Sequence, residues 1–329
     1  MNRLKDFSRW MVNHSLSSLV PDDIKELKNL SVLDLSKQKI RELPESIGTL
    51  SNLKVLKLSN NRLEKLPSSI TELKKLKNIQ CENNLIEELP EDIGSLESLL
   101  IFNLNGNRLK SLPKSFSNLT SLTRLTLAAN VIERLDDELK SLTKLLYLSL
   151  DTNEISILPD IFENMSTLYY LDLSYNKLQT LPQTINDIEE LETLLLEGNS
   201  IKSLPKLESH DMLMRLNLND NNLSDLDFDI SKLEDLQILT LDNNKLTKLP
   251  QNICKLENLN HLSVSNNNLI ELPDCIGDLE NLLELDIEEN SINSLPESFN
   301  KLTKLKNLYL MSNENLTKPD LPNLEYCDV

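Results

Sequence analysis

Leucine returns along this chain with a nearly fixed step. Leu30, Leu53, Leu76, Leu99, Leu122, Leu145, Leu168, Leu191, Leu213, Leu236, Leu259, Leu282 and Leu305 each open a segment of one form. The copy from Leu53, LKVLKLSNNRLEKLPSSITELKK, shows it as LxxLxLxxNxLxxLPxxIxxLxx. The step is 23 residues except from Leu191 to Leu213, where it is 22. Within LxxLxL the apolar positions alternate with period two, which predicts a short strand with its leucines on one side and the intervening residues on the other. The second half of each copy predicts a short helical or extended return segment, opened by a proline that fixes φ. No single copy can bury its own leucines, so the pattern predicts thirteen stacked copies sharing one core, with coverings at the two ends.

The polar positions repeat as well. Position 9 is Asn in every copy from Asn61 to Asn313, with Gln38 in the first, because a side-chain amide both donates and accepts where the chain turns. Stacked copies then predict a ladder of amides. Proline follows the second leucine pair in ten copies, from Pro44 to Pro296, and is replaced by Asp136 and Asp227 in two. This pattern resembles the leucine-rich repeat family over about residues 16–316. The 23-residue form LPxxIxxLxxLxxLxLxxNxL is similar to the repeats of intracellular Ras-pathway scaffolds, Scribble-type polarity proteins, plant intracellular Ras-group proteins and bacterial proteins that include effectors delivered into host cells. The resemblance implies an α/β solenoid, a horseshoe with a parallel β-sheet on the concave face and short helical or extended segments on the convex face. The cysteine-rich flanking caps of extracellular members are missing, as is any added ligase, kinase or GTPase domain.

The organisation expected is an N-terminal amphipathic helix and partial repeat over 1–29, thirteen repeats over 30–316 and a closing tail over 317–329. In NRLKDFSRWMVNH, Leu4, Phe7 and Met11 fall at i, i+3 and i+7, with Trp10 beside them, as in an amphipathic helix. Such a helix suits a cap over the first leucine layer better than a membrane anchor. After Asn313 the spacing breaks and Pro319 and Pro322 appear, so an irregular tail is expected to close the last strand. The eighth copy is one residue short and the ninth lacks its proline, changes that loops tolerate.

Charge and composition narrow the function. Lys plus Arg number 34 and Asp plus Glu 52, a net charge of -18 that repels phosphate backbones and anionic lipids, so neither a nucleic acid nor a membrane is the expected partner. No apolar run has the length of a signal-peptide core or a membrane span. Cys81, Cys254, Cys275 and Cys327 lack the clustering of a disulfide cap or metal knuckle, which favours a reducing compartment. The expected setting is cytoplasmic, or a host cytosol reached through a specialised secretion system. Five scattered glycines build no phosphate loop, and no nucleophile–base pair or metal-ligand spacing stands out, so no cofactor, metal or catalytic residue is expected. Cys81 replaces an inward leucine and is expected in the core.

Candidate binding residues lie where tyrosine, otherwise sparse, crowds. TLYYLDLSYN (residues 167–176) holds three of the six tyrosines. Within their copies Tyr147 and Tyr170 fall at position 3, Tyr169 at position 2 and Tyr175 at position 8, all on the outward side. With strands roughly 4.8 Å apart, position 3 predicts a column Ile101, Arg124, Tyr147, Tyr170. Asp151, Asp172, Leu195, Glu197 and Arg215 complete the candidate face, and aromatic residues with arginine suit a protein interface. Lys37, Lys54, Lys57 and Lys77 make the amino-terminal part of this face basic. Glu192, Glu197, Asp220, Asp242, Glu284, Asp286, Glu288 and Glu289 make the other part acidic. The function expected is a monomeric, non-enzymatic interaction module that binds a protein partner with a basic surface, as a bacterial effector acting on host proteins. The alternative is a scaffold or regulatory subunit recruiting a small GTPase or a phosphatase.

Overall fold

The structure, a computed structural model, describes residues 2–207, 209–314 and 316–328. Two compact units are present, Met1–Leu168 and Tyr169–Val329. Unit one opens with α1 (Asn2–Asn13), a short α2 (Ile24–Lys28) and strands β1 (Val32–Asp34), β2 (Val55–Lys57), β3 (Asn78–Gln80), β4 (Ile101–Asn103), β5 (Arg124–Thr126) and β6 (Tyr147–Ser149). They pair in parallel and in sequence order, and each residue sits beside its equivalent in the next copy, as Leu33 beside Leu56. Unit two repeats the arrangement with β7 (Tyr170–Asp172), β8 (Thr193–Leu195), β9 (Arg215–Asn217), β10 (Ile238–Thr240), β11 (His261–Ser263), β12 (Glu284–Asp286), β13 (Asn307–Tyr309) and β14 (Tyr326–Asp328).

Each strand is three residues long, and in β1 to β13 the middle leucine, isoleucine or phenylalanine is buried, as period-two alternation requires, whereas Cys327 in β14 is half-buried. The inward positions flanking it, such as Leu53, Leu58, Leu168 and Leu173, have no exposed surface. Cys81 is likewise fully buried, and burial pushes its thiol far up. Several return segments form short 3-10 helices that start directly after proline, as at Glu45–Thr49 after Pro44 and Gln183–Asp187 after Pro182, whereas Ile93–Ser95 and Ile276–Asp278 start three residues after theirs. The φ values of Pro44 and Pro182, -75° and -67°, are those the ring imposes.

The asparagine ladder is present. Asn84 Nδ2 donates to the carbonyls of Leu58 in the preceding copy and Cys81 in its own, while its Oδ1 accepts from the Leu63 amide. Asn107, Asn130 and Asn153 repeat this in unit one, and Asn199, Asn221, Asn244, Asn267 and Asn290 repeat it in unit two. The residue just before each asparagine takes the left-handed conformation, from Asn60 (φ 58°) to Ser312 (φ 63°), as does Lys37 (φ 61°) before Gln38. That turn aims the amide back into the stack.

At the amino end, α1 buries Leu4, Phe7 and Met11, the three residues its spacing singled out. Arg3 ties it to the return segments, donating to Glu72 at 3.0 Å and to the Glu45 carbonyl at 2.8 Å. Two expectations need correction. The tail is not wholly irregular: Tyr326–Asp328 adds a strand parallel to β13, so among the described residues the strands number fourteen and not thirteen. Leu324, Tyr326 and Cys327 reproduce the opening of a repeat, but 19 residues after Leu305 and with cysteine where leucine should stand. The cysteines do not all stay apart. Cys254 and Cys275 form a disulfide with Cα atoms 5.8 Å apart. They sit on the return segments of consecutive copies, so stacking brings together what lies 21 residues apart in sequence. The premise for a reducing compartment therefore fails.

Candidate protein-binding face

Outward positions of the strands carry Ile101, Arg124, Tyr147, Tyr170, Asp172, Leu195 and Arg215, while Tyr169 just precedes β7 and Asp151, Tyr175 and Glu197 lie in the turns that follow the strands. In unit one the register sets Ile101 beside Arg124 and Arg124 beside Tyr147, the column expected from the repeat. The Arg124 guanidinium carbon lies over the Tyr147 ring, 3.6 Å from its centre, a cation–π contact that ties the two side chains together. Exposed Leu100 and Leu146, at position 2 of their copies, border it. Asp151 is oriented by the Ser149 hydroxyl, which donates to Oδ1 at 2.6 Å.

In unit two Tyr169 is exposed at position 2 and Tyr170 half-buried at position 3, while their neighbours Leu171 and Leu173 are wholly in the core. Tyr170 Oη donates to Asp172 at 3.4 Å, and Asp172 also accepts from the Ser174 amide at 3.0 Å. Tyr175 stands in the left-handed turn position (φ 52°) and is 53% exposed. Its hydroxyl donates to Glu197, and this bond, with burial and the surrounding carboxylates, pushes its pKa up to about 12. The ring lies across Gly198, where a Cβ would fall 2.5 Å from Tyr175 Cδ1. Gly198 thus serves two needs, a φ of +67° and room for the ring. The other Glu197 oxygen accepts from Asn217 at 2.9 Å. Leu195 stands beside Asp172 in the register, and Arg215 two strands from Tyr170 in the position-3 column.

Unit one therefore gathers Ile101, Arg124, Tyr147 and Asp151, and unit two gathers Tyr169, Tyr170, Asp172, Tyr175, Leu195, Glu197 and Arg215. The sequence reading passed over a second aromatic group in unit two, Tyr309 and Tyr326, whose rings lie 5.3 Å apart. Tyr309 was visible at an outward position, but Tyr326 belongs to the strand that the broken spacing hid. Among the described residues no group of three or more His, Cys, Asp or Glu is placed to hold a metal ion, and no helix is long and apolar enough to cross a membrane.

Comparison with known proteins agrees with this geometry. Models described as leucine-rich repeat region and leucine-rich repeat match residues 6–86, 74–132, 156–201, 235–256, 258–279 and 273–314. A solved leucine-rich repeat protein of Leptospira interrogans is 33% identical, with a TM-score of 0.73, over 89% of this chain and 87% of that one. The chain belongs to the leucine-rich repeat family. Other leucine-rich repeat structures resemble it less in sequence. The functional domain of InlJ from Listeria monocytogenes, described as including a cysteine ladder, is 25% identical with a TM-score of 0.72, over 90% of this chain and 66% of that one. Toll from Drosophila, in its complex with Spätzle, is 26% identical with a TM-score of 0.76, over 88% of this chain and 42% of that one. A search of curated proteins found no match. As a leucine-rich repeat protein, the chain has the architecture of a protein-interaction module.

Proposed function

We propose that this leucine-rich repeat protein is a non-catalytic, monomeric module that takes a protein partner onto the outward face of its strands. The contacts are Arg124 and Tyr147 in unit one and Tyr169, Tyr170 and Tyr175 in unit two. The observation that carries this reading is the preparation of these aromatics at outward positions: Arg124 stacks on Tyr147, and Tyr175 is fixed by Glu197 across Gly198. Rings already held in place lose little entropy on binding and bury much area, the properties of interface anchors. The Leptospira relative and the Listeria structure are both bacterial, which supports a bacterial source, and the partner we propose for such a protein is a host protein. The Cys254–Cys275 bond moves the expected setting outside a reducing cytosol, because disulfides persist where the surroundings are oxidising.

The test is affinity capture from host-cell extracts with the wild-type chain and a Tyr147→Ala/Tyr170→Ala variant. A protein retained by the first and lost by the second, with melting unchanged, is the expected result. Equal retention by both would overturn the assignment of these tyrosines.

A further inference from the structure

Strands β11 to β14 give unit two a second aromatic face. The Tyr309 and Tyr326 rings lie 5.3 Å apart at 46°, and Tyr326 is 50% exposed. Leu283 and Met311 add exposed apolar surface in the same copies. The register sets Tyr309 between Asp286 and Asp328, and Tyr326 two strands from Glu284. Glu288 follows Asp286 by two residues, its amide donating to the Asp286 carboxylate at 3.0 Å.

This negative charge is poorly matched by the chain itself. His261 approaches Glu284 at 3.6 Å, and Lys306 is held by Glu325 at 2.9 Å. Among the described residues no lysine or arginine forms an ion pair with Asp286, Glu288 or Asp328. Burial, a hydrogen bond to Asp328 and the charges of Asp286, Asp328 and Glu289 push the Glu288 carboxyl up to about 7. Unit one shows the complementary chemistry in finished form, with Arg124 stacked 3.6 Å over Tyr147. Unit two offers paired rings together with carboxylates, without an arginine of its own upon them.

We propose that the Tyr309–Tyr326 face takes an arginine side chain from an extended segment of a partner protein, its guanidinium stacked on the rings and paired with Asp286 and Glu288. This rests on the interaction reading above and adds a contact distinct from the Tyr169–Tyr175 group. Arginine suits the face better than lysine because its planar, weakly hydrated head stacks and pairs at once. The apolar rim of Leu283 and Met311 suits the arginine stem.

The experiment is calorimetric titration of the full chain with a synthetic peptide of six Gly-Arg repeats, and with its twin carrying neutral citrulline for every arginine. The arginine peptide is expected to bind at least about tenfold tighter than its twin, a difference of about 1.4 kcal/mol. Tyr309→Leu/Tyr326→Leu should remove about tenfold of its affinity. A control lacking three exposed carboxylates of unit one, Glu91→Gln/Asp92→Asn/Glu97→Gln, should lose less than about twofold. Should the tyrosine variant melt abnormally, Glu288→Gln, which keeps both rings, is expected to lose about threefold or more. Equal binding of the two peptides, or losses in the unit-one control as large as those at Tyr309 and Tyr326 or at Glu288, would overturn the proposal, the second by reducing it to diffuse attraction. Once a partner is captured, its release by Tyr309→Leu/Tyr326→Leu with retention by Tyr147→Ala/Tyr170→Ala upholds this face and rejects the first. The reverse pattern rejects this face alone.

Discussion

Tyr170 and Leu171 are chain neighbours that β7 sends to opposite sides, and their substitutions should part accordingly. Leu171 is wholly buried beside its equivalent Leu194, so Leu171→Ala opens a cavity and should cost ~2 to 5 kcal/mol in urea unfolding. Tyr170→Ala removes half-buried surface and should cost under about 1 kcal/mol, while weakening partner binding by about 2 kcal/mol or more. A Tyr170→Ala protein as unstable as Leu171→Ala would make the tyrosine a packing residue. His210 is a residue of another kind. It is wholly buried, and its carbonyl accepts from the Leu213 amide as that of Leu50 accepts from Leu53. An imidazole thus stands in a leucine position of the short eighth copy. Burial lowers its pKa below the ordinary 6.5, and the carbonyls of Ile188 and Ile185 and the charge of Asp211 offset this in part without closing a hydrogen bond. The unfolded chain therefore binds this proton more readily than the fold, so the stability tied to neutral His210 is complete above the ordinary histidine pKa and falls away as pH drops below it. Unfolding at a series of pH values should show His210→Leu losing less stability than wild type on acidification. Parallel curves would contradict the burial assigned to His210.

At the scale of elements, nearly everything that repeats was legible. The period gave the strands, position 9 gave the amide ladder, and proline gave the starts of several 3-10 helices, because each follows from local chemistry repeated at one spacing. The outward column Ile101, Arg124, Tyr147 was legible for the same reason, since stacking equal copies converts sequence position into spatial rows. What escaped was whatever departs from the period. β14 is set 19 residues after its predecessor and places a half-buried cysteine where leucine should stand, so the pattern did not reveal it, and Tyr326 was lost with it. Tyr175 was placed, but not its dependence on Gly198, which arises only once the ring and the neighbouring turn meet. The helix α1 was legible from its spacing and buries Leu4, Phe7 and Met11, and we propose that it caps the first layer. Deleting residues 1–15 should expose that layer and produce aggregation, read by light scattering, since an uncovered end of a solenoid presents its core to water. A truncated protein as soluble and stable as the full chain would show that α1 is not a cap.

For the whole molecule, two features set the conditions in which it works. Its charge of -18 opposes the approach of polyanions and favours the basic protein partner expected from the sequence. Its disulfide ties consecutive copies of unit two across a separation of 21 residues, which on loop closure stabilises by about 3 kcal/mol. Cys254→Ser/Cys275→Ser should unfold at correspondingly lower urea, and peptide mapping without reductant should recover the linked pair; two free thiols in protein isolated from its natural setting would return it to a reducing compartment. The central claim is that the outward strand face receives the partner, and site-specific photocrosslinking tests it most directly. A benzophenone side chain is placed at Tyr170 on that face, or at exposed Ile270 on a return segment of the same unit, and each protein is irradiated in the extract that yields the partner. The account predicts a discrete adduct from position 170 and none from position 270; an adduct from 270 with none from 170 would contradict it.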